Sequence, residues 1–304
     1  MKKDLLKLTD LDRSELIHIL DVADQLKYNQ KNGIPHEILK GKTLAMIFQK
    51  SSTRTRVSFD VGMFQLGGQA MFLSTADIQL GRGESIKDTA RVLSRYCDGI
   101  MIRTYEQDEV ETLAEYASIP VINGLTDYAH PCQVLADLMT IREQHSTLQG
   151  LKLCYIGDGN NMANSLIAGA LIGGMSVSCA TPSEYKPDAK IMEFAKAYGD
   201  DFCRTENVND AARGADVLVT DVWASMGQES EREKRQRDFV GYQISESVME
   251  NANDNAIVMH CLPAHMGEEI TEGVFNKYSN VIFDEAENRL HAQKAVMAIL
   301  MGNV

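Results

Sequence analysis

Thr43-Leu44-Ala45-Met46-Ile47-Phe48-Gln49-Lys50-Ser51-Ser52-Thr53-Arg54-Thr55-Arg56 reads as a strand, a hydroxyl-rich turn and a helix start in direct succession. Val57, Val61 and Phe64 then recur at helical spacing until Gly67-Gly68 ends the pattern. The same rhythm continues on both sides. Ala70–Leu73, Gly99–Ile102 and Pro120–Ile122 are further candidate strands in the first half, and Leu151–Ile156, Ser176–Ala180, Val217–Thr220, Ile257–His260 and Val281–Phe283 in the second. Amphipathic stretches separate them. Strand and helix in alternation predict an α/β protein of two domains, each a parallel sheet with helices on both faces.

A long helical pattern from His130 to His145 precedes the polar Gln144-His145-Ser146-Thr147 and Gly150, which places a boundary near residue 148. The expected domains are therefore 1–148 and 149–286. The stretch Ala286–Met301 is again helical, and the terminal helix, 287–304, is expected to pack back on the first domain.

At 304 residues the chain is long for a single core. A formal net charge of −13 argues against nucleic-acid binding, which needs basic patches, but leaves room for a small anion held by a local arginine cluster. The N-terminus passes straight into an amphipathic acidic segment, and the weakly polar run Leu166–Met175 is too short to span a bilayer, so a cytoplasmic, non-membrane protein is expected. The six cysteines are scattered and read as reduced thiols. His260, Cys261 and His265 are the nearest approach to a metal cluster, too few converging donors for a bound ion, and no metal is expected.

Several motifs can carry chemistry. Ser52, Thr53 and Thr55 offer hydroxyls at a helix N-terminus, where backbone N–H groups and the helix dipole favour an anion, and Arg54 adds a planar cation. This is not a nucleotide P-loop, because no glycines precede the lysine. Arg103 ends one strand and His130-Pro131 opens a helix, so both fall at carboxyl ends of strands and can aim at one carbonyl oxygen. Gly157-Asp158-Gly159 superficially suggests a dinucleotide turn, but the third glycine is missing. Asn160 and Asn161 there can present amides. Asp221-Val222-Trp223-Ala224-Ser225-Met226-Gly227 follows a strand and offers a carboxylate and a turn to an amino acid. Cys261, in His260-Cys261-Leu262-Pro263-Ala264-His265, is open between nucleophile, proton partner and packing residue.

Ser52 through Arg56, Asp88-Thr89-Ala90-Arg91, His130-Pro131-Cys132-Gln133 with Asp137, Asp221 through Gly227, His260 through His265 and Glu287-Asn288-Arg289 resemble, in order, the signatures of the ornithine carbamoyltransferase family. The resemblance spans nearly the whole chain. It implies transfer of a carbamoyl group from carbamoyl phosphate to the side-chain amine of L-ornithine, giving L-citrulline and phosphate, as a step of arginine synthesis or its catabolic reverse. By this resemblance Ser52, Thr53, Arg54 and Thr55 hold the phosphate, with Gln79 reaching in from a neighbouring subunit of a homotrimer. Arg103, His130 and Gln133, with Pro131, Cys132 and Arg289, form the carbamoyl pocket. Asn161, Asp221, Ser225 and Met226 bind ornithine. Cys261 and Leu262 reach the carbamoyl group and the reacting amine, and Arg103, His130 and Cys261 are the catalytic residues. No cofactor is needed, since carbamoyl phosphate carries its own leaving group, and domain closure with ordering of the Ser225-Met226-Gly227 loop is expected.

Overall fold

The computed structural model describes residues 4–225 and 229–302. They form two compact units, one of residues up to Ala136 together with those from Arg289, the other Asp137–Asn288. Packing changes hands inside the helices Pro131–His145 and Glu272–Gly302, ahead of the loop near residue 148. The reason is local: Leu148 is buried, and the Gly150 N–H donates to the Gly174 carbonyl at 3.0 Å, which ties that loop to the second unit.

In the first unit β1 (Thr43–Phe48), β2 (Gln69–Ser74), β3 (Gly99–Arg103) and β4 (Val121–Leu125) form one parallel sheet in the order β2-β1-β3-β4. Leu44 through Phe48 and all of β3 are buried, as continuous apolar runs in a parallel sheet require. The helix Thr53–Gln65 starts immediately after β1, capped by the Ser52 hydroxyl, which accepts from the Thr55 N–H. Its buried face is Thr55, Phe59, Gly62 and Met63, whereas Val57, Val61 and Phe64, the apolar spacing that announced the helix, are exposed, Phe64 by 80%. Gly62 permits close approach of the terminal helix: a side-chain carbon there would lie 2.9 Å from Met297 Cε.

The second unit holds β5 (Lys152–Ile156), β6 (Ser176–Ala180), β7 (Phe202–Thr205), β8 (Val217–Thr220) and β9 (Ile257–His260), again all parallel, in the order β7-β6-β5-β8-β9. The helix Asn161–Gly173 is buried at every position, which suits its Ala, Leu, Ile and Gly content.

One expectation needs correction, and one strand was not expected. Val281–Phe283 is no strand; it lies within the helix Glu272–Gly302. A three-residue apolar run cannot distinguish the two, and here only Ile282 is buried while Phe283 is 57% exposed, the one-sided burial of a helix. Conversely β7 carried no strand signal, because Phe202-Cys203-Arg204-Thr205 is a half-exposed, largely polar edge.

Candidate functional site

At the carboxyl ends of β1 and β3 the first unit gathers cations around one hydroxyl. Arg103, the last residue of β3, donates from Nη1 to Thr55 Oγ1 at 3.4 Å, and Arg289 Nη2 donates to the same oxygen at 3.4 Å. Arg289 Nη1 also donates to Gln133 Oε1 at 2.6 Å, and the Ser52 hydroxyl donates to Thr55 Oγ1 at 3.1 Å. Thr55, Arg103, Gln133 and Arg289 are all buried; Thr53 and Arg54, on the first turn, are exposed. Guanidinium groups gathered around one hydroxyl suit an anion, reinforced by the N-terminus of a 13-residue helix.

His130 is buried beside this cluster. Its burial, together with the positive charges of Arg289, Arg103 and Arg54, pushes its pKa well below the usual imidazole value. At neutral pH it is therefore an uncharged ring whose N–H can donate to an oxyanion without adding a fourth positive charge. Pro131 begins the following helix, and Cys132 is buried with its thiol 3.5 Å from the Asn123 carbonyl and its pKa pushed up to about 12 by burial. Cys132 is thus a protonated packing residue next to the cluster.

The second unit collects donors around a carboxylate. Asp221, directly after β8, accepts from Asn160 Nδ2 at 2.8 Å, from the Val222 N–H at 2.8 Å and from Cys261 Sγ at 3.1 Å. Burial, aided by the negative charges of Asp221, Glu285 and Asp137, pushes the Cys261 thiol pKa well above its usual value. The thiol therefore keeps its proton and donates a hydrogen bond to Asp221. Asn160 also caps the helix Asn161–Gly173, accepting from the Met162 and Ala163 N–H groups, so Asp221 and the helix start are fixed to each other. Asn161 is buried in the first turn.

The chain matches two family models, the aspartate/ornithine carbamoyltransferase carbamoyl-P binding domain over residues 3–143 and the aspartate/ornithine carbamoyltransferase Asp/Orn binding domain over residues 149–300. The chain belongs to the aspartate/ornithine carbamoyltransferase family. Within it, an ornithine carbamoyltransferase of Oceanobacillus iheyensis is 55% identical over 99% of this chain and 95% of that protein, and an anabolic ornithine carbamoyltransferase of Pyrococcus furiosus is 52% identical over 99% and 97%. The solved ornithine carbamoyltransferase of Pyrococcus furiosus superposes with a TM-score of 0.94 at 52% identity, covering 99% of this chain and 97% of that one. The anabolic enzyme of Campylobacter jejuni superposes at 0.93 with 41% identity, covering both chains completely at 100%.

Among the residues expected from sequence, the structure joins Ser52, Thr55, Arg103, Gln133 and Arg289 in one bonded cluster with His130 beside them, and Asp221 with Cys261 in another. Gln79 is exposed at the start of a short 3-10 helix, outside the bonded cluster of its own chain. Ser225 is half-buried, and Met226 lies outside the described residues. Leu262 follows Cys261 with φ +58°. The two-glycine turn serves backbone packing: a side-chain carbon on Gly159 would fall 2.2 Å from the Lys186 carbonyl carbon, so its open side is filled by the 186–187 peptide. His265, Glu268 and Glu269 offer ligand atoms within 4.8 Å of one another, but Arg232 at 2.6 Å and Gln236 at 2.9 Å already hold one oxygen of Glu268.

One supporting residue lies outside the sequence motifs. Arg235 donates to Asp158 Oδ2 at 2.7 Å and to the Trp223 carbonyl at 2.9 Å, bracing the segment after Asp221 from a helix outside any motif. Asn160, whose amide the sequence places at this turn, donates it to Asp221 and caps the helix start. The Arg235 role has no local signal, since Arg235 and Asp158 lie 77 positions apart.

Proposed function

We propose that the chain transfers the carbamoyl group of carbamoyl phosphate to the side-chain amine of L-ornithine, giving L-citrulline and phosphate. The observation that carries this reading is the convergence of Arg103 and Arg289 on Thr55 at a helix N-terminus, with His130 held neutral beside them. Carbamoyl phosphate presents a dianionic phosphate and a polarisable carbonyl in one small molecule. The helix start with Ser52, Thr53, Arg54 and Thr55 suits the phosphate, and Arg103 and His130, with Gln133 and Arg289 bonded behind them, suit the carbonyl oxygen on which negative charge builds.

The acceptor amine attacks the carbonyl carbon, the new C–N bond forms, and the C–O bond to phosphate breaks. The conjugate acid of a free alkyl amine has a pKa of about 10.4, so the amine attacks in its neutral form with its ammonium proton left to solvent, and one further proton must leave the nitrogen as the C–N bond forms. Cys261 is a poor base here, because its thiol already holds a proton and donates a hydrogen bond to Asp221. The proton therefore goes to an oxygen of the departing phosphate. Asp221, with Asn161, Ser225 and Met226, binds the amino-acid end of ornithine, and its negative charge suits an ammonium group. No cofactor takes part in these steps.

The protein is proposed to be a cytoplasmic homotrimer serving arginine synthesis, with Gln79 completing the phosphate site of a neighbouring subunit. Exposed Val57, Val61 and Phe64 on one helix and exposed Met71 and Phe72 on the edge strand β2 supply an apolar face suited to such a contact, and Gln79 lies outside its own cluster. In domain terms, 1–148 with 287–304 serves carbamoyl phosphate and 149–286 serves ornithine. The reading is tested by offering ornithine, putrescine, acetylornithine and aspartate separately with carbamoyl phosphate and measuring each carbamoylated product. Citrulline is expected to form far faster than any other product; preference for another amine, or no product from any, refutes it.

A further inference from the structure

We propose that the buried pair His260–Glu269 is the positioning device for the Cys261–Leu262 turn, holding that turn in the geometry that carbamoyl transfer needs. The inference rests on the reading of this chain as a carbamoyltransferase. Both side chains are fully buried and bonded to each other.

The bonding fixes the imidazole. The Leu262 N–H donates to His260 Nδ1 at 2.9 Å, and a backbone N–H can only donate, so Nδ1 is the bare nitrogen. The ring proton then sits on Nε2, which donates to Glu269 Oε1 at 3.0 Å. The same Glu269 oxygen accepts from the His265 N–H at 2.5 Å. One carboxylate oxygen thus grips the turn at both ends, through the ring of His260 and through the backbone of His265. The His260 N–H is itself held by Glu285 Oε2 at 2.9 Å.

Two further features make the grip specific. Leu262 adopts φ +58°, a left-handed conformation that a branched side chain reaches only when its surroundings hold it there, and the bond to His260 Nδ1 is the contact on its own N–H. Glu269 is held in turn by its backbone: its carbonyl accepts from the Ile244 N–H at 2.9 Å, beside the buried Ile270. The order of support runs from Ile244 to Glu269, from Glu269 to His260, and from His260 to the turn whose thiol meets Asp221 at 3.1 Å. Removing Glu269 frees the ring to rotate or exchange tautomers, and the turn loses its fixed N–H partner.

Glu269→Ala and Glu269→Gln test this, measured as kcat, both KM values, thermal midpoint and the 15N spectrum of His260. The alanine variant is expected to lose about 10- to 100-fold in kcat, the scale of a small misplacement near a reacting centre. Its KM for carbamoyl phosphate should stay within about twofold, because the cation cluster does not involve this turn. The glutamine variant keeps an accepting oxygen and should retain kcat within about threefold, with the Nε2–H tautomer intact. A merely structural role would lower the midpoint and move neither the tautomer nor the ratio of kcat to KM. The inference is overturned by wild-type kcat in a folded Glu269→Ala, or by a glutamine variant as impaired as alanine. Should Glu269→Ala not fold, a loss beyond about tenfold in Glu269→Gln overturns it. A wild-type protein that makes no citrulline would overturn the functional reading instead, which separates the two failures.

Discussion

The two units put opposite chemistry at equivalent places. Both are parallel sheets whose strands end at the candidate residues, but at the ends of β1 and β3 two arginines converge on a hydroxyl, whereas after β8 a carboxylate gathers an amide, a backbone N–H and a thiol. Burial, aided by the positive cluster, drives the imidazole of His130 toward its neutral form, and burial, aided by negative surroundings, drives the Cys261 thiol to keep its proton. Parallel-sheet topology therefore says where a ligand meets each unit, and the sign of the residues says which ligand. The first unit thus suits a phosphate and an oxyanion, and the second is proposed to take the ammonium end of an amino acid.

The largest effect should come from the positive side. Arg103→Ala is expected to lower kcat by roughly 10²- to 10³-fold in a citrulline assay, the scale of a lost oxyanion donor; a loss below about tenfold would remove Arg103 from that role. Next comes Asp221→Asn, which should raise the KM for ornithine by roughly 30- to 150-fold, the equivalent of a charge-assisted bond of about 2–3 kcal/mol. A rise in the KM for carbamoyl phosphate instead would erase the division between the units.

Cys261 distinguishes a thiol that donates from one that accepts a proton. Cys261→Ser keeps a donor to Asp221 and should reduce kcat by no more than about tenfold, since no general-base step, commonly worth 10²- to 10⁴-fold, is lost. In the native protein Cys261 should resist iodoacetamide at pH 7.5 under conditions where exposed Cys203 is alkylated, as read by peptide mass spectrometry. Rapid labelling of Cys261 would mean that the thiolate is accessible after all.

The smallest effect concerns a cation of the first unit that takes no part in the cluster. Lys294 is fully buried, and among the described residues its Nζ bonds His36 Nε2 at 2.7 Å and Gln65 Oε1 at 2.9 Å, neither an anion. Burial lowers its pKa to about 8. The unfolded chain holds this proton up to the ordinary lysine value, so between pH 8 and about 10.4 unfolding takes up protons and native stability gains with rising pH, while below pH 8 the cost of the buried charge is complete. Lys294→Met should accordingly raise the urea midpoint at pH 7, lose that advantage toward pH 10, and leave kcat unchanged. A variant less stable than wild type at pH 7 would show that the two hydrogen bonds outweigh the burial of the charge.

Much of this was legible before the structure. Strand, hydroxyl turn and helix from Thr43 onward gave the fold class, because short apolar runs and capping residues are local signals. Arg103 and Asp221 were findable because each stands where an apolar strand stops. What sequence could not give was the facing of the helix Thr53–Gln65: Val57, Val61 and Phe64 have the right period, yet the buried side is the one with Gly62, which the terminal helix approaches closely. Periodicity finds a helix and leaves open whether its apolar stripe faces the core. The Glu269–His260 and Arg235–Asp158 pairs were likewise hidden, since a hydrogen bond between distant turns leaves no pattern in the chain. β7 was missed for a third reason, as an edge strand can be polar on its open side.

The division of labour between the units is tested most directly by calorimetric titration of Asp221→Asn with freshly prepared carbamoyl phosphate in the absence of ornithine. A Kd within about twofold of wild type is expected, with the KM for ornithine raised independently. A Kd weakened about tenfold or more, some 1.4 kcal/mol, would mean that the carboxylate of the second unit helps to hold the first substrate, and would contradict it.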